Sequence, residues 1–206
     1  MRSLINLIEF IERPVKMIDF NEHELLIIGG SVGSTEILMD FIPKLPGNFQ
    51  LAVVIVVHRK GSVNNLLSKI LDEKAVIRVK EVDEKERIEV GTVYVAPGDY
   101  HLLIERDKTF SLDSSEKIIN CRPSIDLAFQ QAAGVYKNRL IGILLTGANK
   151  DGAEGLKCIA NSGGVTIVQD PQEAEVNIMP QAACELFEPS MVLTAAQLLG
   201  LFSNIT

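Results

Sequence analysis

Six consecutive residues, Leu140–Leu145 (LIGILL), carry no polar side chain. A strand with one face in water alternates apolar and polar positions, so a wholly apolar strand must be covered on both faces. Leu51–Val57 (LAVVIVV) has the same character, and Glu24–Ile28 does after its first residue. Strands of this kind belong in a parallel sheet between two layers of helix. The chain supplies those helices: amphipathic or apolar patterns over Ser34–Ile42, Val63–Leu71, Ser124–Tyr136, Ala153–Asn161, Pro180–Phe187 and Ala195–Phe202 alternate with the strands. Further strands are expected at Val76–Lys80, Val165–Gln169 and Met191–Leu193. Three short runs, Val93–Ala96, His101–Glu105 and Thr109–Leu112, are split by turns such as Pro97-Gly98-Asp99 and read as antiparallel hairpin material. The expected fold is α/β: a doubly wound, mostly parallel sheet in a three-layer α/β/α sandwich, with an antiparallel hairpin.

Composition agrees with this class. Hydrophobic residues make up 47% of the 206, aromatics only 5%, and Trp is absent, so Val, Ile and Leu must fill the interior. The length suits one core. Residues 1–22 are expected to form a leader in which Leu4, Ile5, Ile8 and Ile11 share one helical face before Pro14 ends it. Residues 23–206 form the main domain. With 20 Lys and Arg against 27 Asp and Glu, the net charge is −7 and no basic block stands out, which argues against nucleic acid as a partner. No apolar run reaches the roughly 18 residues a membrane span needs, and the leader has no signal-peptide cleavage site. Cys121, Cys158 and Cys184 are odd in number without C-x-x-C spacing, so they read as reduced, buried thiols of a cytoplasmic protein. His23, His58 and His101 share no metal-ligand spacing, and neither metal nor cofactor is expected.

In a doubly wound sheet, sites form beyond the carboxyl ends of the strands. Three such loops carry chemistry. The first, Gly29-Gly30-Ser31-Val32-Gly33-Ser34, fits G-x-S-x-G, a turn that can lift a serine hydroxyl clear of a sheet. Neither a dinucleotide fingerprint nor a Walker loop fits here: the third and sixth positions from Gly29 are serines, and Ser34 rather than Lys follows Gly33. The second loop places His58 just past an apolar strand, where a neutral imidazole could take the serine proton. In the third, Thr146–Ala153, Asp151 is either a helix N-cap or the acid that orients His58. The order Ser31…His58…Asp151 is not that of α/β-hydrolases, whose histidine comes last. His101 is a second candidate base.

These segments resemble the catalytic domain of the CheB protein-glutamate methylesterases. IIGGSVGSTE is similar to the family's serine loop, VVIVVHRKG to its histidine loop and GILLTGANKDGAEGL to its aspartate loop. VYVAPGDYHLLIE, CRPSIDLAFQQAA and GGVTIVQDPQEAEVNIMPQAA resemble its other segments, so the likeness runs from about Leu25 to Phe202. It implies hydrolysis of glutamate γ-methyl esters on the methylated cytoplasmic helices of chemoreceptors, with methanol released, and in many members glutamine deamidation. It implies Ser31 as nucleophile, His58 as general base and Asp151 as its orienter, with backbone N–H groups of Val32 and Ala148 at the oxyanion. Arg122 and Met179 are candidate substrate contacts. Only a short leader precedes the first strand, so a stand-alone form without a receiver domain is expected. Where family loops usually read Thr-Gly-Gly and Gly-Met-Gly, this chain has Val32-Gly33-Ser34 and Gly147-Ala148-Asn149, and Arg59-Lys60 follows His58. These departures keep two other readings open: a catalytically weak or inactive interaction module, and an esterase or deamidase for a partner outside chemotaxis.

Overall fold

A computed structural model describes residues 18–59 and 66–201. Its strands are β1 (Leu25–Gly30), β2 (Ala52–Val57), β3 (Arg78–Glu81), β4 (Thr92–Val95), β5 (His101–Ile104), β6 (Phe110–Asp113), β7 (Leu140–Leu144), β8 (Val165–Gln169) and β9 (Met191–Leu193). Its helices are α1 (Ser34–Phe41), α2 (Leu66–Lys74), α3 (Ile125–Tyr136), α4 (Ala153–Asn161), α5 (Ile178–Leu186) and α6 (Ala195–Gly200). Seven strands form one parallel sheet in the order β3-β4-β2-β1-β7-β8-β9, and β5 pairs with β6 as an antiparallel hairpin.

β1, β2 and β7 are buried at every position, as their unbroken apolar sequence requires. Successive side chains point to opposite faces, so each strand feeds two cores. Leu25, Ile27, Val54 and Val56 meet Ile125 and Phe129 of α3, Leu156 of α4 and Met179 of α5 on one face. Leu26, Ile28, Val53 and Ile55 meet Leu38 of α1, Leu71 of α2 and Leu198 of α6 on the other. The two helical layers are those expected from the alternation of elements.

Two expectations are corrected. The expected run Val93–Ala96 is not hairpin material: it falls on β4, which lies parallel between β3 and β2 with all four of its residues buried. The next two runs do pair antiparallel. Second, Gly29 and Gly30 belong to β1 rather than to the loop after it. A Cβ on Gly29 would stand 2.4 Å from Ile125 Cγ2 and 2.9 Å from Phe129 Cζ, so this glycine lets α3 press onto the sheet. Conformational freedom is needed four residues later, where Gly33 takes φ 83° and turns the chain into α1. Residues 1–17 of the expected leader lie outside the described residues, as do 63–65 of the second expected helix, which runs on to Lys74, and Phe202 at the end of the last.

Candidate active site

Backbone bonds draw the ends of three adjacent strands together. Past β1, the Ser31 N–H donates to the Thr146 carbonyl at 2.9 Å; past β7, the Leu145 N–H donates to Gly29 at 2.9 Å. Past β2, the His58 N–H donates to the Gly30 carbonyl at 3.3 Å. Ser31 and His58 therefore leave the sheet side by side, with the loop of Asp151 across from them. The Ser31 carbonyl accepts from Ser34 N at 3.1 Å and from Ser34 Oγ at 2.6 Å, which closes the turn before α1. Val32 at the tip of this turn is 48% exposed. Among the described residues, the N–H groups of Val32 and Ala148 donate to no backbone or side-chain acceptor.

The Asp151 carboxylate is fully buried and caps a helix other than its own. Oδ2 accepts from His58 Nε2 at 2.7 Å and from Ile125 N at 2.8 Å, while Oδ1 accepts from Asp126 N at 2.9 Å and Ser124 Oγ at 3.1 Å. Of the two sequence readings, the N-cap of α4 is thus excluded; Gly152 holds that place. Burial by itself would raise the Asp151 pKa, but the bonds from His58, Asp126 and Ile125 outweigh it and hold the acid below the ordinary value. An ionised carboxylate only accepts, so His58 Nε2 carries the proton of this bond, and in the neutral ring the lone pair is then on Nδ1.

That nitrogen is in hydrogen-bond contact with the Cys121 thiol, which can donate to it. Its Sγ lies 3.7 Å from His58 Nδ1 and accepts from Asn149 Nδ2 at 3.2 Å. No hydrogen bond joins Ser31 Oγ to His58 among the described residues. Burial pushes the Cys121 thiol up; nearby Asp151 acts in the same direction, while the Asn149 bond and Lys117 oppose it. The three cysteines are free, as expected, but half-buried rather than buried, and Cys121 touches His58.

α3 and α4 exchange carboxylates. Asp126, in the first turn of α3, accepts from Gly152 N at 2.8 Å and Gly155 N at 2.7 Å, at the start of α4. Burial pushes Asp126 up to about 6, and Asp151 adds repulsion to it, against the two backbone bonds. The raised value fixes a sign: above pH 6 the folded state holds a buried charge that the unfolded chain solvates, and below the ordinary aspartate value the difference vanishes. Asp126→Asn keeps an acceptor for both N–H groups. It is expected to raise the unfolding free energy by about 1 kcal/mol at pH 8, with no gain below pH 4, read by urea denaturation at the two pH values.

The remaining candidates have fixed places. His101 is buried, with Ser124 N donating to its Nδ1 at 3.1 Å and its Nε2 on the Glu116 carbonyl at 3.0 Å; both nitrogens are spent, which removes it as a base. Arg122 Nη1 donates to the carbonyls of Ser114 and Ser115, both at 2.7 Å, and so ties down the segment after the hairpin. Met179 is fully buried beneath the aspartate loop, where its N–H donates to Gly147 at 3.0 Å. Arg59 turns away from His58 to pair with Glu81 and to donate to the Ala96 carbonyl, so it offers no free charge to a substrate; Lys60 lies outside the described residues. Ser124 and Asp126 were not singled out beforehand. The one signal was Ser124 before an apolar helix, the ordinary mark of an N-cap, which it is.

Comparison with known proteins adds a consistent result. The family profile for CheB methylesterase matches residues 26–201. A putative protein-glutamate methylesterase/protein-glutamine glutaminase of Leptospira interrogans is 44% identical over 183 residues, 89% of this chain and 95% of the relative. A protein-glutamate methylesterase/protein-glutamine glutaminase of Thermotoga maritima is 36% identical over 175 residues, and that match spans 84% of this chain but only 51% of the relative. The crystal structure of the Thermotoga maritima CheB methylesterase catalytic domain superposes with a TM-score of 0.81 at 35% identity, covering 87% of this chain and 98% of that one.

Proposed function

Because this chain belongs to the CheB methylesterase family, we propose that it is a protein-glutamate methylesterase that hydrolyses glutamate γ-methyl esters on the cytoplasmic helices of chemoreceptors. Residues 23–206 are its catalytic unit, and it works in the cytoplasm; among the described residues no helix is long and apolar enough to cross a membrane. Ser31 attacks the ester carbonyl as His58 Nδ1 takes its proton. The tetrahedral oxyanion rests on the N–H groups of Val32 and Ala148. Collapse expels methoxide, which His58 protonates to methanol, and a water activated by His58 then releases the carboxylate. Asp151 holds the imidazole in the required tautomer throughout.

The observation that carries this reading is the 2.7 Å contact of His58 with a fully buried Asp151, beside a serine at the mouth of three adjacent strands. A glutamine side chain passes through the same oxyanion with ammonia as leaving group, and the relatives' names join the two activities. The test is methanol and ammonia release from a receptor cytoplasmic fragment bearing methylated glutamates or glutamines. Methanol release at a rate well above the uncatalysed one is the expected result. Folded protein that releases neither product would overturn the proposal.

A further inference from the structure

Spacing along the chain gave no metal ligands, yet folding brings His58, Cys121 and Asp151 together with their ligand atoms all within 4.8 Å of one another. The three are not equivalent. Each Asp151 oxygen already accepts two hydrogen bonds, so this carboxylate has nothing left for a cation. It stands instead behind His58, on the Nε2 side. A histidine that binds metal through one nitrogen generally donates its other N–H to a carboxylate, which fixes the ring's tautomer and orientation. His58 is oriented in that way, and its Nδ1 meets the Cys121 sulfur.

The spacing of these two atoms is informative. Tetrahedral zinc, with bonds of about 2.0–2.1 Å to nitrogen and about 2.3 Å to sulfur, holds the two donors roughly 3.6 Å apart. Here a thiol–imidazole hydrogen bond holds them 3.7 Å apart, so a zinc ion could replace the shared proton with little movement of either donor. One imidazole and one thiolate select a borderline-soft divalent ion over calcium or magnesium, which seek oxygen. The amide of Asn149 donates to the same sulfur and opposes in part the burial that pushes its thiol up, which a bound cation would have to overcome. We propose that His58 Nδ1 and Cys121 Sγ form a two-point site for a zinc-class divalent cation, which inhibits the enzyme when it binds.

Binding exchanges the Cys121 thiol proton for the metal; the proton goes to solvent, and water completes the coordination shell. The metal occupies the lone pair that takes the serine proton, so hydrolysis stops until a chelator removes it. This consequence rests on His58 being the base, whereas metal binding does not. The test therefore has two readouts. The reduced, metal-free chain is titrated with cadmium, and the thiolate-to-metal charge-transfer absorption is followed. One equivalent should saturate it, zinc should displace the cadmium, and Cys158→Ser and Cys184→Ser should behave as the parent does. Cys121→Ser should abolish the signal, and His58→Gln should weaken binding at least tenfold. A signal that survives in Cys121→Ser, or full affinity in His58→Gln, would overturn the site. In the second readout, zinc inhibits methyl-ester hydrolysis reversibly in the parent but not in Cys121→Ser, each compared with its own metal-free rate. Inhibition that is equal in both would refute the regulatory part. If the chain hydrolyses no ester, the absorption titration still decides the site.

Discussion

Ser31→Ala is expected to lower kcat for methyl-ester hydrolysis by about 10⁵–10⁶-fold while changing the unfolding free energy by no more than about 0.5 kcal/mol. The two halves of this expectation come from different atoms of one residue. All bonds that Ser31 contributes to the fold are made by its backbone: the N–H to Thr146, and the carbonyl to both groups of Ser34. Alanine keeps them. The hydroxyl supplies only chemistry, and without it water must attack the ester in place of the serine. The oxyanion donors at Val32 and Ala148 remain, so a residual rate of roughly 10³-fold over water should survive. Single-turnover methanol release and urea denaturation, run on the same preparations, separate the two effects. A parent-like rate would exclude Ser31 as the nucleophile.

Asp151→Asn is expected to damage both properties. All four partners of this carboxylate are donors: His58, Ile125 N, Asp126 N and Ser124 Oγ. An asparagine offers one acceptor oxygen and one NH₂ group, so at least one donor pair is left facing another donor. If the amide keeps its oxygen toward the helix, its NH₂ donates to His58 Nε2. The proton then shifts to Nδ1 and the base is lost, with kcat falling about 10⁴-fold. The N-terminus of α3 also loses the anion that satisfies it, at a cost of about 2–4 kcal/mol in unfolding free energy. The sign of the pH dependence follows from the lowered Asp151 pKa. Its contribution is fully present above the ordinary aspartate value and is lost as pH falls through the lower folded value. Both gaps therefore close in acid, but their signs are opposite: at pH 8 Asp151→Asn is less stable than the parent and Asp126→Asn is more stable. Denaturation curves at pH 8, 5 and 3 distinguish the two carboxylates, though they sit within one clasp.

The layered fold was legible because it depends on pattern alone. LIGILL and LAVVIVV can only be central strands, and the polar residue just beyond each must emerge at one sheet edge; His58 and the loop of Asp151 do so. The misplaced strand shows the limit. Thr92–Val95 is four residues long, too short for periodicity to separate a hairpin arm from a buried parallel strand, and its pairing with β2 settles the matter. Side-chain partnerships were hidden for a related reason. Nothing beside Arg59 in the chain points to Glu81 or the Ala96 carbonyl, and nothing beside Cys121 points to His58. In both cases the partner is brought in by a different element, and no local rule names it.

The pairing of β1 with both β2 and β7 also orders events in time. Leu25 lies opposite Ala52 on one side and Leu140 on the other. Closing the second, roughly fourfold longer loop costs about 1 kcal/mol more chain entropy before its contacts repay it, which favours the first contact forming earlier. The serine and histidine arms can therefore be built from the first third of the polypeptide, while the acid that organises them arrives only with the second half. Hydrolytic competence is then the last property the molecule acquires as it folds. The recovery of turnover in a refolding experiment should lag behind the recovery of secondary structure, and that lag measures how long the two halves of the chain take to find each other.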